Sequence, residues 1–305
     1  MLTQTDLQKI EAWLYSHARP LEIAKWNLLF GKGTQEALVA ELVKYQNPDG
    51  GFGRGFECDI LTPESAGIPS AEAIFMAQDY GLDIPGSDWG KRLLTWFETQ
   101  AQEHPVPAFW EGVPPSIMDY PHAPWWGYGP CTEFSPNPCA VVASALLFSE
   151  APSQRALGET VARACIDYIH TDETYGDHPT LCLQRLCEAL RRLGSPLYTK
   201  EIAEKMDFRV LRVCQTDASK WMTEYCFQPI ELAETPESPW YPLLAEAIPA
   251  NLDFCERHLR ERGHRELNFS WGVDTDVARQ VTQNWRGYGT VKWLRSLKAF
   301  GRIEA

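Results

Sequence analysis

The stretch Tyr45-Gln-Asn-Pro-Asp-Gly-Gly-Phe-Gly53 directly follows an amphipathic segment and contains the strongest local signal in this chain. Asp49 suits the start of a turn, and the two glycines after it supply the positive φ angles that end a helix and reverse the chain. The Gln46 side chain can hydrogen-bond exposed backbone at a helix end, and Phe52 can cover that end. The stretch therefore predicts a helix followed by a tight reversal of the chain.

Candidate helices follow one another in pairs, without the alternating pattern that indicates strands. Amphipathic segments, interpreted as outer helices, start near Thr34, Asp88, Ser153, Tyr198, Tyr241 and Tyr288. More apolar or better-capped segments, interpreted as inner helices, cover residues 6–17, 69–80, 138–148, 179–193, 225–233 and 274–283. The last four outer starts are about 44 to 47 residues apart, a spacing typical of helical-pair repeats. Six pairs predict an all-α fold, an (α/α)6 barrel or α/α toroid formed by a single domain over residues 1–305.

Prolines are predicted to set the start of two of these helices and to interrupt a third. Asn137 and His178 each precede a proline, so both side chains are predicted N-caps with proline at the first helical position. Pro249 lies inside the fifth outer helix, where it should break or kink that helix. The segment from Pro138 is apolar nearly all round, which predicts a helix that is buried on every side.

An aromatic residue followed by glycine recurs where an outer helix passes to its inner partner, at Phe52-Gly53, Trp126-Gly127, Tyr175-Gly176 and Trp271-Gly272. Polar side chains come soon after three of these pairs: Glu57, Asp59, Asp177, His178, Asp274 and Asp276. All such connections lie at one end of an α/α barrel, so these six side chains are predicted to face one central cavity. Helix capping is the alternative role for the last four, and plain surface exposure is the alternative for the first two.

The longest irregular stretch, residues 103–136, is rich in aromatic side chains. A loop this long and this aromatic is predicted to fold over the cavity mouth as an ordered lid, with Trp125 and Trp126 as its anchors. Such rings can stack on a sugar, face a carbocation or simply pack the loop. The predicted ligand-contacting rings in the whole chain are Trp125, Trp126, Tyr128, Phe52, Trp221 and Trp271.

Two motifs resemble those of known families. Residues 46–52 resemble the glutamine-tryptophan repeat of squalene and terpenoid cyclases and of protein prenyltransferase β-subunits, in which a helix ends in Gln before a short Asp/Gly turn and an aromatic residue. Asp274-Thr275-Asp276-Val277 resembles the Asp-x-Asp-Asp element of class II terpenoid cyclases, with Val277 in place of the fourth aspartate. The resemblance implies an α/α toroid in which Asp276 donates a proton and Asp274 supports it.

The whole-chain pattern is also similar to that of uncharacterised bacterial single-toroid proteins, through residues 47–53, Glu57, Asp59, Pro63 and residues 122–126. Asp59 is the predicted partner of Asp276, because two neighbouring carboxyls can share one proton and so raise one pKa. Asp253 and Cys255 echo a zinc-ligand pair of the prenyltransferases, but the third ligand, a distant histidine, is missing. No metal and no cofactor are therefore expected.

Composition limits the class of partner. The net charge of −13 disfavours nucleic acid and anionic membranes, and it weakens the case for a diphosphate substrate. The first 20 residues lack the apolar core of a signal peptide, and no segment has the roughly 18 apolar residues of a membrane span. The nine cysteines form no Cys-x-x-Cys pair and lie mostly in apolar helical patterns, which predicts a reduced, cytoplasmic protein.

Three function classes follow from these observations. The first is a terpenoid cyclase-like or prenyltransferase-like enzyme that binds or protonates an isoprenoid or other apolar small molecule. The second is a carbohydrate-active (α/α)6 enzyme, in which paired acids cleave a glycosidic bond and tryptophans hold sugar rings. The third is a noncatalytic toroid that binds a ligand or a partner.

Overall fold

The computed structural model describes residues 1–103, 109–129, 133–172 and 174–304. The described residues form helices and a few isolated β-bridges but no strand, which confirms the predicted all-α class. Within the same residues, no helix has both the length and the apolar character needed to cross a membrane. The helices are α1 (Gln4–His17), α2 (Pro20–Leu29), α3 (Gln35–Leu42), α4 (Gly67–Tyr80), α5 (Asp88–Glu103), α6 (Pro136–Leu146), α7 (Pro152–Thr171), α8 (Asp177–Arg192), α9 (Lys200–Val213), α10 (Pro229–Leu232), α11 (Tyr241–Leu244), α12 (Ile248–Arg262) and α13 (Asp276–Ala299).

The chain divides into two compact units. Unit 1 comprises Met1–Glu41 and Val210–Ala305, and unit 2 comprises Leu42–Arg209. In unit 1, α1 packs against α2, α12 and α13, and the two chain ends meet in a parallel bridge between Leu2 and Ile303. The first helix and the last helix are therefore neighbours. The closure of the whole chain into a single barrel domain stays a prediction.

Unit 2 is organised around α6, which contacts α4, α5, α7 and α8 and is buried along nearly its whole length, as predicted. Near the carboxyl ends of α4 and α6, Gln78 Nε2 donates to Ser144 Oγ at 2.8 Å. Near the amino ends of α6 and α8, Cys182 Sγ lies 3.6 Å from Asn137 Oδ1. Because like ends adjoin, α4, α6 and α8 run parallel and their amino ends lie at one end of unit 2. We call this end, with the described residues of the loops before the three helices (residues 47–66, 109–129 with 133–135, and 172 with 174–176), the loop end.

Two predicted helices proved to be one. The inner segment 274–283 and the outer helix at Tyr288 belong to the continuous helix α13, so the prediction of a sixth separate pair is wrong. The glycines between them do not end the helix, because their missing side chains serve packing instead. A Cβ atom at Gly287 would lie 2.9 Å from Ala18 Cβ, in the short connection between α1 and α2. Gly287 therefore lets α13 approach this connection closely.

The predicted effect of Pro249 is confirmed, whereas the predicted caps need correction. The fifth outer helix is broken into α11, which ends at Leu244, and α12, which begins at Ile248 with Pro249 in its first turn, where the missing N–H costs no intrahelical bond. Ser135, not Asn137, caps α6, and its Oγ accepts from Asn137 N at 3.2 Å. The N-cap of α8 is Gly176, and His178 lies within the first turn.

The turn at residues 47–53 has most of its predicted features. Asp49 Oδ1 accepts from Gly51 N at 3.0 Å, and Gly50 has a φ of +103°. Gly51 does not have the predicted positive φ; a Cβ atom there would lie 2.6 Å from Ser65 Cβ, so close packing explains this glycine. Gln46 Nε2 donates to Gly50 O at 2.9 Å and to Trp89 O at 2.8 Å. The glutamine thus ties the turn to the first turn of α5.

Candidate functional site

The loop end contains an unusual concentration of left-handed backbone. Among the described residues, three that are not glycine have a φ in this region: Arg54 at 58°, Phe109 at 62° and Tyr175 at 51°. Each lies in a different one of the three loops of the loop end. Such a conformation costs on the order of 1–3 kcal/mol and persists where surrounding structure enforces it, often at a binding or catalytic site. Their coincidence at one end marks the loop end as the candidate functional site.

Hydrogen bonds of the Asn47 side-chain amide hold the first loop in place. Asn47 Oδ1 accepts from Arg54 Nε at 2.7 Å, while Asn47 Nδ2 donates to Pro63 O at 2.8 Å. Of the two predicted acids in this loop, Asp59 has a relative exposure of 2% and Glu57 is partly exposed. The Asp59 carbonyl accepts from Ala123 N of the second loop at 3.1 Å. The first two loops therefore adjoin at Asp59.

The second loop packs down through Trp126. This ring lies against a small apolar cluster formed by Ile60, Val113 and Ile117, which joins the first loop to the second. The Trp125 side chain is 49% exposed. Trp126 therefore has the predicted anchoring position, whereas about half of Trp125 faces solvent. Residues 104–108 and 130–132 of the predicted lid lie outside the described residues.

Tyr128, another predicted ligand-contacting ring, lies near the exposed edge of the same loop. Its hydroxyl donates to Glu111 Oε1 at 3.4 Å. Loss of solvation, followed by the negative charge of Glu111, raises the Tyr128 pKa. The tyrosine therefore stays a neutral donor around neutral pH.

The third loop surrounds a buried arginine. The Arg209 side chain, from α9, has a relative exposure of 1%, and its Nη2 lies 2.9 Å from Asp172 Oδ2. Its Cζ lies 5.4 Å from the ring centre of Tyr168 and 5.1 Å from that of Tyr175. Burial alone raises the Asp172 pKa, but hydrogen bonds from Thr174 and Arg209 outweigh it and lower this pKa to about 2. Asp172 and Arg209 are therefore a charged pair at neutral pH.

Aromatic rings connect the second loop to α7. Phe134 contacts Phe109 with ring centres 6.1 Å apart and Tyr168 with ring centres 6.2 Å apart, both edge to face. Phe109, Phe134, Tyr168 and Tyr175 are each partly exposed. We call these four residues the aromatic wall. It offers an apolar surface that leads to the buried guanidinium.

The remaining predicted acids lie in contrasting surroundings. In unit 2, burial raises the Asp177 pKa against the opposing effect of His178, which is exposed. In unit 1, Asp274 and Asp276 both pair with Arg279, and the Asp276 side chain is 98% exposed. Asp276 thus lacks the desolvated setting expected of a proton donor and has that of a helix-terminal carboxylate. Asp177, in contrast, is partly buried.

Three predicted ring contacts lie elsewhere. Phe52 is fully buried against Phe56 and Trp89, with ring centres 5.3 and 6.5 Å away. Trp221 is buried in unit 1, and its Nε1 donates to Gln215 O at 2.7 Å. Both rings therefore pack the core. Trp271 is partly exposed in the unit 1 loop before α13.

Arg209, Tyr168 and Asp172 were not predicted from the sequence as site residues. One signal was available for the arginine. Ile202 and Met206, four residues apart, are buried on α9. Arg209 lies three residues after Met206 and therefore on the same face of the helix. A cation thus interrupts an apolar stripe. A cation in such a position needs a carboxylate or an aromatic partner. The identity of those partners depended on packing between helices that no local pattern describes.

Comparison of the chain with protein-family models, with curated proteins and with solved structures gives no match. Among the described residues, His, Cys, Asp and Glu form no group of three or more that could hold a metal ion. The functional inference therefore depends on the geometry of the loop end itself.

Proposed function

We propose that this protein binds a small, mainly apolar molecule, such as an isoprenoid, against the aromatic wall at the loop end of unit 2. The observation that carries the proposal is the position of Arg54, Phe109 and Tyr175, one left-handed residue in each of the three loops that meet there. Partly exposed aromatic rings are suited to an apolar ligand, because each ring can bury a large area on contact. Two of the three left-handed residues, Phe109 and Tyr175, belong to the wall itself.

The proposed fold is the α/α toroid plan of terpenoid cyclases and prenyltransferase β-subunits. Two features of unit 2 support it: α4, α6 and α8 are parallel neighbours, and each is followed in sequence by a further helix after a short connection. In such a plan the loops before the inner helices share one end, where ligand sites commonly lie. The loop end of unit 2 has this position.

Farnesol, a neutral isoprenoid alcohol, is a suitable probe for titration calorimetry. Phe134→Ala removes a ring from the wall and should raise the Kd at least tenfold, since a buried ring contributes roughly 1.5–3 kcal/mol. Phe148→Ala is the matched control, because this partly buried ring lies just after the carboxyl end of α6, beneath the Arg192 guanidinium 4.8 Å away. The control should leave the Kd unchanged.

Three results would overturn the proposal. Wild-type protein that fails to bind farnesol at millimolar concentration would reject an isoprenoid site. An equal loss of affinity in the Phe134 and Phe148 variants would place the ligand away from the wall. Binding of cellobiose in place of farnesol would favour the carbohydrate-active class.

A second candidate function is protonation of the bound ligand by Asp177. The raised Asp177 pKa favours it, since a partly buried carboxyl at the loop end can stay protonated at a higher pH than an exposed one. Deuterium incorporation into farnesol carbon atoms in D2O, measured by mass spectrometry, would reveal proton transfer to an alkene. Asp177→Asn should abolish incorporation while farnesol still binds. Incorporation at the wild-type rate in this variant would exclude Asp177 as the donor.

A further inference from the structure

We infer that Arg209 recognises an anionic head group and that the natural ligand carries a single carboxylate on its apolar body. This inference rests on the proposed function and adds the chemical class of the ligand. It concerns a residue on α9, outside the six predicted acids and the six predicted rings.

The hydrogen bonds of Arg209 are incomplete. Its Nη2 is used, donating to Asp172 O at 3.3 Å and pairing with the Asp172 carboxylate. Its Nε and Nη1 are buried and have no hydrogen-bond partner among the described residues. Buried donors are nearly always satisfied in folded proteins, and an unsatisfied donor on a charged group is especially costly. Two buried N–H sites on one guanidinium therefore call for acceptors that the described side chains do not supply.

The guanidinium lies beside the loop end. Tyr175, one of its two ring contacts, immediately precedes Gly176, the N-cap of α8, which has no side-chain capping bond. The positive end of a helix dipole favours a negative group at such a start. Tyr168, its other ring contact, touches Phe134 of the aromatic wall. A ligand whose apolar body lies on the wall would thus bring its head group to the arginine.

Access to the guanidinium is through Tyr175. This ring is partly exposed, and it contacts Phe208, whose side chain is 51% exposed. The guanidinium is therefore separated from solvent by side chains that are themselves at the surface. A rotation of the partly exposed Tyr175 side chain would open a route for a head group.

The local charge favours one carboxylate over a diphosphate. Asp172 already balances the Arg209 charge, and Asp177 places a further acid at the start of α8. A diphosphate would bring two or more negative charges to a guanidinium that already has a counter-ion. A carboxylate brings one charge and two oxygen atoms, and each oxygen can accept from an N–H group.

Calorimetry on the full chain at pH 7 can compare three probes with the same apolar body: farnesol, farnesoate and farnesyl diphosphate. Wild-type protein should bind farnesoate at least tenfold more tightly than farnesol, and more tightly than the diphosphate. In the paired variant Arg209→Gln with Asp172→Asn, the pair is neutral and no carboxylate remains buried alone. This variant should lose the tenfold preference and keep its affinity for farnesol.

The results separate the two proposals. Equal wild-type affinity for farnesol and farnesoate would refute the role of Arg209 and leave the apolar site intact. A stronger affinity for the diphosphate would refute the single carboxylate. An undiminished preference for farnesoate in the paired variant would place the anion elsewhere. If that variant does not fold, Arg209→Lys is measured instead, because the ammonium keeps a counter-ion for Asp172 but lacks the planar Nε–Nη1 edge. A tenfold preference that survives in this variant would refute the role of those two donors. No binding of any probe would overturn both proposals.

Discussion

Replacement of Gly50 by alanine tests how strictly the turn at residues 47–53 depends on its contact with α5. Gly50 has a φ of +103°, and a Cβ atom there would lie 2.4 Å from the backbone oxygen of Arg92. That oxygen belongs to the interior of α5 and cannot rotate away as a flexible side chain would. The turn itself must therefore move.

Two contributions set the expected magnitude. An L-residue at this φ costs on the order of 1–2 kcal/mol. Movement of the turn away from α5 weakens the two hydrogen bonds that Gln46 Nε2 donates to Gly50 O and Trp89 O. Each of these hydrogen bonds contributes about 1 kcal/mol to stability. We expect Gly50→Ala to lower the free energy of unfolding of unit 2 by roughly 3–4 kcal/mol.

Gly194→Ala is the matched control within the same unit. Gly194 has a φ of +60°, and a Cβ atom there would have no heavy atom of another segment within 4 Å, so only the conformational cost of about 1 kcal/mol applies. Urea unfolding followed by circular dichroism measures both variants. Hydrogen exchange of peptides from residues 42–209 reports on unit 2 directly, because it measures the protection of the amides in this unit alone. Losses that agree within about 0.5 kcal/mol for the two variants would refute the steric argument.

Three further outcomes are expected. In the folded protein the Asp172 pKa is about 2, below its ordinary value of about 3.9. The charged carboxylate therefore contributes about 2 kcal/mol to the free energy of unfolding above about pH 4, and this contribution is lost as the pH falls toward 2. Asp172→Asn should remove this part of the acid dependence in urea titrations. Thr275→Ala should lower the free energy of unfolding by about 1 kcal/mol, because Thr275 Oγ1 caps α13. Asp276 is exposed, so Asp276→Asn should change this free energy by less than about 0.5 kcal/mol and leave farnesol binding unaltered. Trp126→Ala should lower the melting temperature by several degrees and Trp125→Ala by much less, since only Trp126 packs on the apolar cluster; equal shifts in calorimetry would contradict this.

Local patterns were enough to place most of the helices. The starts predicted near Asp88, Ser153 and Tyr198 agree with α5, α7 and α9 to within two residues. The all-round apolar segment at Pro138 was correctly expected to be buried. These features depend on the order of residues within a few turns, because amphipathic spacing and proline at a first turn act on neighbouring backbone.

The errors arose where a residue type has two possible roles. Glycines 287 and 289 can end a helix or allow another segment to approach, and only the position of Ala18 decides between these for Gly287. Asp276 and Asp177 are both acids at a helix start, so the sequence does not distinguish them. One side chain is almost fully exposed and the other is partly buried, and burial is a property of the assembled helices.

The order of residues along the chain was enough to predict the helical class and the turn at Gly50, and it showed the polar residues that follow the aromatic-glycine pairs. Only the packing of the helices brings Arg209 to both Tyr168 and Tyr175, with its Nε and Nη1 lacking a hydrogen-bond partner among the described residues. The physical reason is the range of the interactions. Backbone conformation responds to residues close in sequence, whereas the burial and pairing of a charge depend on side chains that distant segments bring together.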